Sequence, residues 1–387
     1  MSLYKGRCKK EDTKQLLDML DDVFFAEDGG EPEIRFIELL PKLYKDEYEP
    51  AYNNVIVSED GVIKAAVGCY PMEVRAAGRQ LKVLGIGNVA VAKDSRRKGY
   101  MIDCMNMAID MMKDGDYDYS VLGGQRQRYS HFGYEPSGCL YRFIVDSENI
   151  KRLLGEDASP AFEAREITPA DGEIIKKIKA LNESLPYYTV RSEAAYLDIL
   201  KNWQSVPYAV FGGGEFKGYF CVGKNGRVQE LKAKKAEDLL EIIMCVMRIT
   251  GQNSVSLPVP VCETEECAYL AKISESSSVN MFERLNILNY GRFIEAFLAA
   301  KAQRVNLCSG TLKMLIHGFK RDETVEVTVD GATVTVSETQ AEPDIELSHY
   351  EAINMLTGIY SKEKLSLPAF AQGWFPLDYY ACGPDNV

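Results

Sequence analysis

The sequence predicts a mixed α+β fold spread over more than one domain, and three observations carry that expectation. Residues 1–146 alternate β-branched strands with amphipathic helices. The segments between them carry Gly and Asp-Gly turn chemistry at hairpin spacing. The chain also has 387 residues, more than one core usually serves, since single cores stop growing at roughly 250–300 residues.

Taken in order, residues 3–8 read as a short apolar strand. Asp12 is placed to cap a helix carrying Leu16, Leu17, Leu20, Val23 and Phe24 on one stripe, ended by Gly29-Gly30. A second helix is expected over 34–44. Strands follow at 54–58, 62–74 and 81–92, turned at Glu59-Asp60-Gly61 and Ala77-Gly78-Arg79, and together they make an antiparallel meander. A helix opens after Gly99 with Met101, Ile102, Met105 and Ile109 inward and stops at Asp114-Gly115. Residues 119–122 form a short strand. Gly123-Gly124 leads into a helical stretch through Tyr129, and 140–145 is a strand. The middle third repeats the rhythm, with helices at 168–181, 192–203 and 236–250 and strands at 208–211, 218–222 and 227–233. The last third has helices at 291–301 and 349–360 and a hairpin at 324–336 turned by Asp330-Gly331. No low-complexity tract separates these parts, so close packing of the domains is expected.

Composition narrows the function. Hydrophobic residues make up 46% and charged residues 26%, and the formal net charge is −12. Nucleic acid demands a basic face, so it is disfavoured as a partner, whereas a small cationic substrate suits this balance. No apolar run approaches the roughly 18–20 residues of a membrane span. The opening Met1-Ser2-Leu3-Tyr4-Lys5-Gly6 lacks the apolar core of a signal peptide, and the expected location is the cytoplasm. Ten cysteines scattered without Cys-x-x-Cys spacing, with only His131, His317 and His349 beside them, predict buried thiols and no metal site.

The segment with most chemical content runs from Gly87 to Met101. A β-branched strand, Val89-Ala90-Val91, enters the basic turn Arg96-Arg97-Lys98-Gly99, and a helix opens at Tyr100-Met101. A pyrophosphate needs several converging donors. Glycine lets the backbone approach without a Cβ, and the first N–H groups of a helix have no internal partner. The turn is neither a Gly-x-Gly-x-x-Gly fingerprint nor a Walker loop, because no Gly-Lys-Ser/Thr follows.

Val89-Ala90-Val91, four residues, then Arg96-Arg97-Lys98-Gly99-Tyr100-Met101 resembles the acetyl-CoA-binding motif of the GNAT acetyltransferases, Arg/Gln-x-x-Gly-x-Gly/Ala; Met101 stands where the family often has Gly or Ala. The resemblance implies acetyl-CoA as co-substrate, its pantetheine lying along Val89, Ala90 and Val91. It also implies that the Val91 N–H polarises the thioester carbonyl and that the turn from Arg96 through Arg97, Lys98, Gly99, Tyr100 and Met101 binds the pyrophosphate. Gly85 and Gly87 mark either the bulge that splays this strand in the family or a strained turn.

Downstream, Gly123-Gly124-Gln125-Arg126-Gln127-Arg128-Tyr129-Ser130-His131-Phe132-Gly133-Tyr134 is similar to the family's next motif, a helix ending in Tyr-x-x-Phe-Gly-Tyr. Over essentially its whole length the chain resembles the Eis-type acetyltransferases. That resemblance implies Tyr129 as general acid for the departing thiolate; Phe132, Gly133 and Tyr134 read as structural. His131 lies two residues beyond Tyr129 and is read as pointing elsewhere. The Eis-type pattern implies two GNAT-like domains followed by a sterol carrier protein-like α+β domain, here at 1–146, 147–280 and 281–387. The middle one lacks the phosphate turn, because Lys232-Ala233-Lys234-Lys235-Ala236 sits where it would fall.

In Eis-type enzymes the C-terminal carboxylate enters the first domain's site as the base, which gives that role to Val387. The segment Ala381 to Val387 extends past the usual terminus at Tyr380, so an overshoot with water or Asp378 substituting is the other expectation. The implied acceptor is a cationic amine: aminoglycoside-like, a polyamine or lysine. Asp21, Asp22, Glu27, Asp28, Glu31 and Glu33 are placed to wall its pocket, or to be a solvated helix end. The family forms homo-oligomers, commonly hexamers. Two non-catalytic readings compete: a regulator that binds acetyl-CoA without turnover, and a lipid carrier.

Overall fold

In the computed structural model, which describes residues 2–26, 32–156, 159–281, 283–381 and 383–387, the meander expected at the start of the chain is present. Strands β1 (Leu3–Arg7), β2 (Asn54–Glu59), β3 (Val62–Ala76) and β4 (Arg79–Val91) pair antiparallel in chain order. Both tight turns take positive φ at their two central residues, 48° and 81° at Asp60-Gly61 and 48° and 77° at Ala77-Gly78. That is the turn geometry whose twist matches flanking strands.

Helix α1 (Thr13–Phe25) follows β1. Asp12 stands at its N-cap position without a side-chain capping bond. The helix expected over 34–44 is two short pieces, α2 (Phe36–Leu39) and α3 (Pro41–Tyr44). Pro41 breaks it, because a residue before proline is pushed out of the α region; Leu40 sits at φ −130°, ψ 65°. Helix α4 (Tyr100–Asp114) is the crossover that lets β5 (Tyr119–Leu122) run parallel to β4. A single turn, α5 (Arg126–Tyr129), and the short strand β6 (Glu135–Ser137) come next. Cys104, Met105, Ala108, Ile109 and Met112 of α4 bury against Val55, Val57, Val67, Leu84 and Ile86 of the sheet. Each large side chain so buried contributes about 1.5–3 kcal/mol.

The chain packs as two compact units. One comprises Met1–Ser137, Glu283–Leu377 and Asn386–Val387; the other comprises Gly138–Phe282 and Asp378–Asp385. In the first, the strand Glu283–Ile287 lies between β5 and β6, antiparallel to both, so the sheet order is β1-β2-β3-β4-β5-(283–287)-β6. The helix Tyr290–Ala302 packs on the same sheet: Phe293 and Phe297 meet Tyr119 at ring-centroid distances of 5.3 and 6.3 Å. A further sheet in this unit has the order Thr333–Glu338, Asp322–Asp330, Gly310–His317, Ile345–Ser348, the last pair parallel. Its closing helix, His349–Thr357, ends three residues before the expected 360, at Gly358.

The second unit carries two sheets. One orders Val228–Ala233, Glu215–Gly223, Ser205–Gly212 and Glu163–Glu166, and the other orders Ser254–Pro260, Leu140–Asp146 and Ser276–Asn280. The helix expected over 168–181 begins later, at Gly172, because Asp171 folds back to accept from the Thr168 N–H at 2.8 Å. The one expected over 192–203 shrinks to Tyr196–Leu200, and Trp203 and Gln204 take φ of 60° and 53°. Arg191, 3% exposed, is forked onto both Glu230 (3.0 and 3.1 Å) and Asp385 (2.8 and 3.1 Å). Asn202 and the Trp203 indole N–H donate to the carbonyls of Pro384 and Gly383, so this unit grips residues 383–385. The described cysteines are free thiols, buried apart from Cys267 and Cys308. Cys382 lies outside the described residues.

Candidate functional site

The site is built where β4 and β5 part. Their parallel ladder runs from Val83↔Tyr119 to Ile86↔Leu122 and stops. Beyond it β4 continues along β3 to Val91, while the chain after β5 turns at Gly123-Gly124 into α5. The Ala92 N–H donates to the Lys64 carbonyl at 2.9 Å. N–H groups alternate between a strand's two edges, so that of Val91 faces the edge where the ladder with β5 has ended. An exposed strand edge of this kind can receive an extended amide-bearing ligand.

A bulge produces this geometry. Gly68 pairs with Gly87 and Ala66 with Ala90, so Asn88 and Val89 together oppose Val67. Asn88 takes φ 39°, a conformation that Asn tolerates better than most residues. Its Oδ1 accepts the hydroxyls of Tyr44 and Tyr70, both at 2.7 Å, and its Nδ2 donates to Asn54 Oδ1 at 2.8 Å. Burial pushes both phenol pKa values up, and they stay protonated as donors. Gly85 and Gly87 are therefore not the bulge itself. Sequence reasoning passed over Asn88, whose role depends on three partners distant in the chain.

After a turn at Lys93–Ser95, the basic segment takes positive φ at Arg97 (68°) and Gly99 (85°), and α4 opens at Tyr100. The Asp103 N–H donates to the Gly99 carbonyl at 3.1 Å. The N–H groups of Tyr100, Met101 and Ile102 thus have no intrahelical acceptor and carry the positive end of the helix dipole. Arg96 and Arg97 are exposed and form no ion pair among the described residues. The side chains of Lys98 and Tyr100 are engaged elsewhere. Lys98 Nζ lies 3.1 Å from the Glu59 carboxylate, and the Tyr100 hydroxyl donates to the same group. Those two donors hold the Glu59 pKa below the usual carboxylate range. What Lys98 and Tyr100 offer an anion is therefore backbone. Val89, Val91, Tyr100 and Met101 pack half-buried on the core under α4, and Ala90 is buried.

Tyr129 is 5% exposed, its ring against Gly124, where an added Cβ would come within 2.8 Å of the tyrosine Cε2. Burial pushes its phenol pKa up against a smaller opposing pull from Arg128, which keeps the proton in place. Tyr134 is fixed as a structural residue: its hydroxyl meets Ser120 Oγ at 2.6 Å, and Ser120 in turn donates to the Leu84 carbonyl. His131 is exposed. A different histidine holds this loop. His349 Nδ1 accepts from the Phe319 N–H (3.2 Å) and lies 2.8 Å from the Tyr290 hydroxyl, which assigns the ring proton to Nε2, 2.8 Å from the Gly133 carbonyl. Burial lowers its pKa and favours that neutral form.

Val387 lies against β4. A Cβ at Gly85 would fall 2.7 Å from Val387 Cγ2, and one at Gly87 would fall 3.0 Å from the Val387 carboxyl carbon. The two glycines thus leave the space that Val387 occupies. Asp378 belongs to the second unit. Of the acidic group expected at the acceptor wall, Asp21 turns inward: it is 8% exposed and accepts from the Phe36 N–H at 2.8 Å, tying α1 to α2. Asp22 and Glu33 are exposed; Glu27, Asp28 and Glu31 lie outside the described residues. Among the described residues no group of three or more His, Cys, Asp or Glu is placed to hold a metal ion, and no helix is long and apolar enough to cross a membrane.

Comparison with known proteins bears on this arrangement. Residues 6–137 match the family model described as the acetyltransferase (GNAT) domain. The fold is shared with a GCN5-related N-acetyltransferase from Anabaena variabilis (TM-score 0.70, 14% identity, 100% of both chains). It is shared too with a probable N-acyltransferase of unknown function from Enterococcus faecalis (TM-score 0.65, 16% identity, 92% of this chain and 90% of that one). Eis1 from Mycobacterium abscessus matches at TM-score 0.60 and 13% identity, over 100% of both chains. No curated protein matches.

Proposed function

We propose that the chain, whose residues 6–137 match the acetyltransferase (GNAT) domain model, is an acyltransferase that transfers acetyl from acetyl-CoA to an amine of a cationic acceptor by direct attack in a ternary complex. One observation carries this reading: the free edge of β4 at Val91 leads straight to the unsatisfied N-terminus of α4. Pantetheine amides pair along Val89, Ala90 and Val91. The pyrophosphate sits on the N–H groups from Arg97 through Lys98, Gly99 and Tyr100 to Met101, with the charge of Arg96 and Arg97 beside it. The Val91 N–H donates to the thioester oxygen as charge develops there.

The amine nitrogen bonds to the thioester carbon and the C–S bond breaks. The amine's proton goes to the Val387 carboxylate, and the thiolate takes the Tyr129 proton. The pKa direction at Tyr129 supports a proton held until a strong base appears beside it. A cationic acceptor, whether aminoglycoside-like, a polyamine or lysine, is supported by the net charge of −12 and the exposed Asp22 and Glu33. We also keep 1–146, 147–280 and 281–387 as the proposed building blocks, alongside the two packed units, which exchange segments across those boundaries.

Calorimetric titration with acetyl-CoA, followed by thiol release with kanamycin and with spermidine, tests the reading. Failure to bind acetyl-CoA sinks it, and binding without thiol release from either amine makes the chain a non-catalytic regulator. Tyr129→Phe should lower kcat about 100-fold, the usual scale of general acid catalysis, with acetyl-CoA affinity unchanged. A comparable loss of affinity would remove Tyr129 from the acid role.

A further inference from the structure

The loop that carries Tyr129 is fastened by residues from far along the chain, and the proposed chemistry gives none of them a part. Tyr129 ends α5, and its own carbonyl accepts from the Tyr134 N–H at 3.3 Å. The other end of that same peptide group, the Gly133 carbonyl, lies 2.8 Å from His349 Nε2. The group is trans and planar, so its C=O and N–H point in opposite directions. Holding the carbonyl therefore aims the N–H, and His349 reaches the backbone of Tyr129 through one rigid unit.

Each end of this path is itself fixed. Gly133 takes φ 81°, and a Cβ there would fall 2.6 Å from Phe319 Cδ2 and 2.7 Å from Asn286 Nδ2, so only glycine gives the peptide this orientation. Asn286 Nδ2 donates to the carbonyl one residue earlier, that of Phe132, at 3.0 Å. At the histidine, the Phe319 N–H donates to Nδ1 at 3.2 Å. An amide N–H can only donate, so Nδ1 is the acceptor and the ring proton sits on Nε2, facing Gly133. The Tyr290 hydroxyl, 2.8 Å from Nδ1, holds the ring from a second element. Tyr290 opens the helix Tyr290–Ala302, and its backbone N–H donates to the Glu323 carboxylate at 3.1 and 3.2 Å.

We infer that His349 is a positioning residue for Tyr129: by donating from Nε2 to the Gly133 carbonyl it fixes the turn that presents the phenol. The inference rests on the reading of Tyr129 as the general acid. An acid works only within hydrogen-bond reach of the departing sulfur, so a loosened turn costs rate while the binding of acetyl-CoA to β4 and α4 stays as it was.

The two sides of the ring are separable by substitution. His349→Asn puts an amide oxygen near the place of Nδ1, still an acceptor for Phe319 and Tyr290, and has nothing long enough to reach Gly133. His349→Gln carries an N–H at the reach of Nε2 and keeps that bond. His349→Asn should lower kcat about 10-fold with the acetyl-CoA KM unchanged, and His349→Gln should restore it. A His349→Asn protein at the wild-type kcat overturns the inference, as does a His349→Gln protein as slow as His349→Asn. In a Tyr129→Phe background His349→Asn should cost nothing further, because no proton remains to be placed. Losses that multiply would make His349 a structural residue only and leave Tyr129 its role. A wild-type kcat in Tyr129→Phe alone is a different failure: it removes the acid, and with it anything for His349 to position. Should the variants fail to fold, nitrogen NMR shifts of the histidine rings in the wild-type protein at neutral pH decide. The Nε2–H form of His349 is expected, and the Nδ1–H form, which has no proton for Gly133, overturns the inference.

Discussion

Burial, with only the Asn386 amide in opposition and a weaker pull from Arg284, pushes the Glu283 carboxyl from its ordinary 4.5 up to about 7. A carboxyl raised in the folded state binds more protons there than in the unfolded chain. Its contribution is therefore fully present below pH 4.5 and is lost as pH rises through 7. Glu283→Gln removes that penalty. We expect no gain at pH 4 and a gain approaching about 3 kcal/mol by pH 8, read as a difference in thermal unfolding that widens with pH. A difference flat in pH would mean that the carboxyl titrates normally. His349 has the opposite sign. Its lowered pKa stabilises the fold above 6.5 and the contribution is lost as pH falls below that value, which links the loop after Tyr129 to neutral conditions.

At the scale of elements, the bulge in β4 is the feature on which the site depends. It re-aims the strand past its ladder with β5 and is locked by Asn88 binding Tyr44, Tyr70 and Asn54. A side chain at Gly68 would collide with Asn88 and Tyr70, so the close approach requires glycine there. Asn88→Ala takes the acceptor from the buried Tyr44 hydroxyl and the donor from Asn54 Oδ1, leaves Tyr70 only its Tyr44 partner, and puts a Cβ without compensation at φ 39°. The expected cost is about 2–4 kcal/mol, seen as a lowered Tm, together with weaker acetyl-CoA binding as the strand edge loses its aim. Unchanged binding in a destabilised variant would separate the bulge from the cofactor edge. The fragmentation of the 34–44 helix at Pro41 also serves this element, because it sets Tyr44 facing Asn88.

At the scale of the molecule, each unit is completed by chain from far away in sequence. The strand Glu283–Ile287 fills the gap between β5 and β6, and without it both would be open edges. In the second unit the Arg191–Glu230–Asp385 cluster is a buried charge group with both carboxylates on one guanidinium. Such a cluster adds little by forming but costs much when broken. Arg191→Met removes the guanidinium that both buried carboxylates share and should destabilise this unit by about 3–5 kcal/mol. Adding Glu230→Gln and Asp385→Asn should return most of it in differential scanning calorimetry. No recovery in the triple variant would show that packing rather than charge is at stake.

The sequence by itself determined what is local. The meander, its two positive-φ turns, the helix after Gly99 and the basic turn were all legible, because strand and helix periods and glycine positions are written within a few residues of one another. The proposal of Tyr129 as the acid came only through its motif, since one tyrosine among 22 has no signature of its own. Tertiary structure alone decided that a late strand enters the first sheet and that Asn88 forms the bulge. It alone set Val387 against Gly85 and Gly87. These contacts join segments distant in sequence, and they are selected by the shape and unpaired groups of a sheet that exists only once the chain has folded.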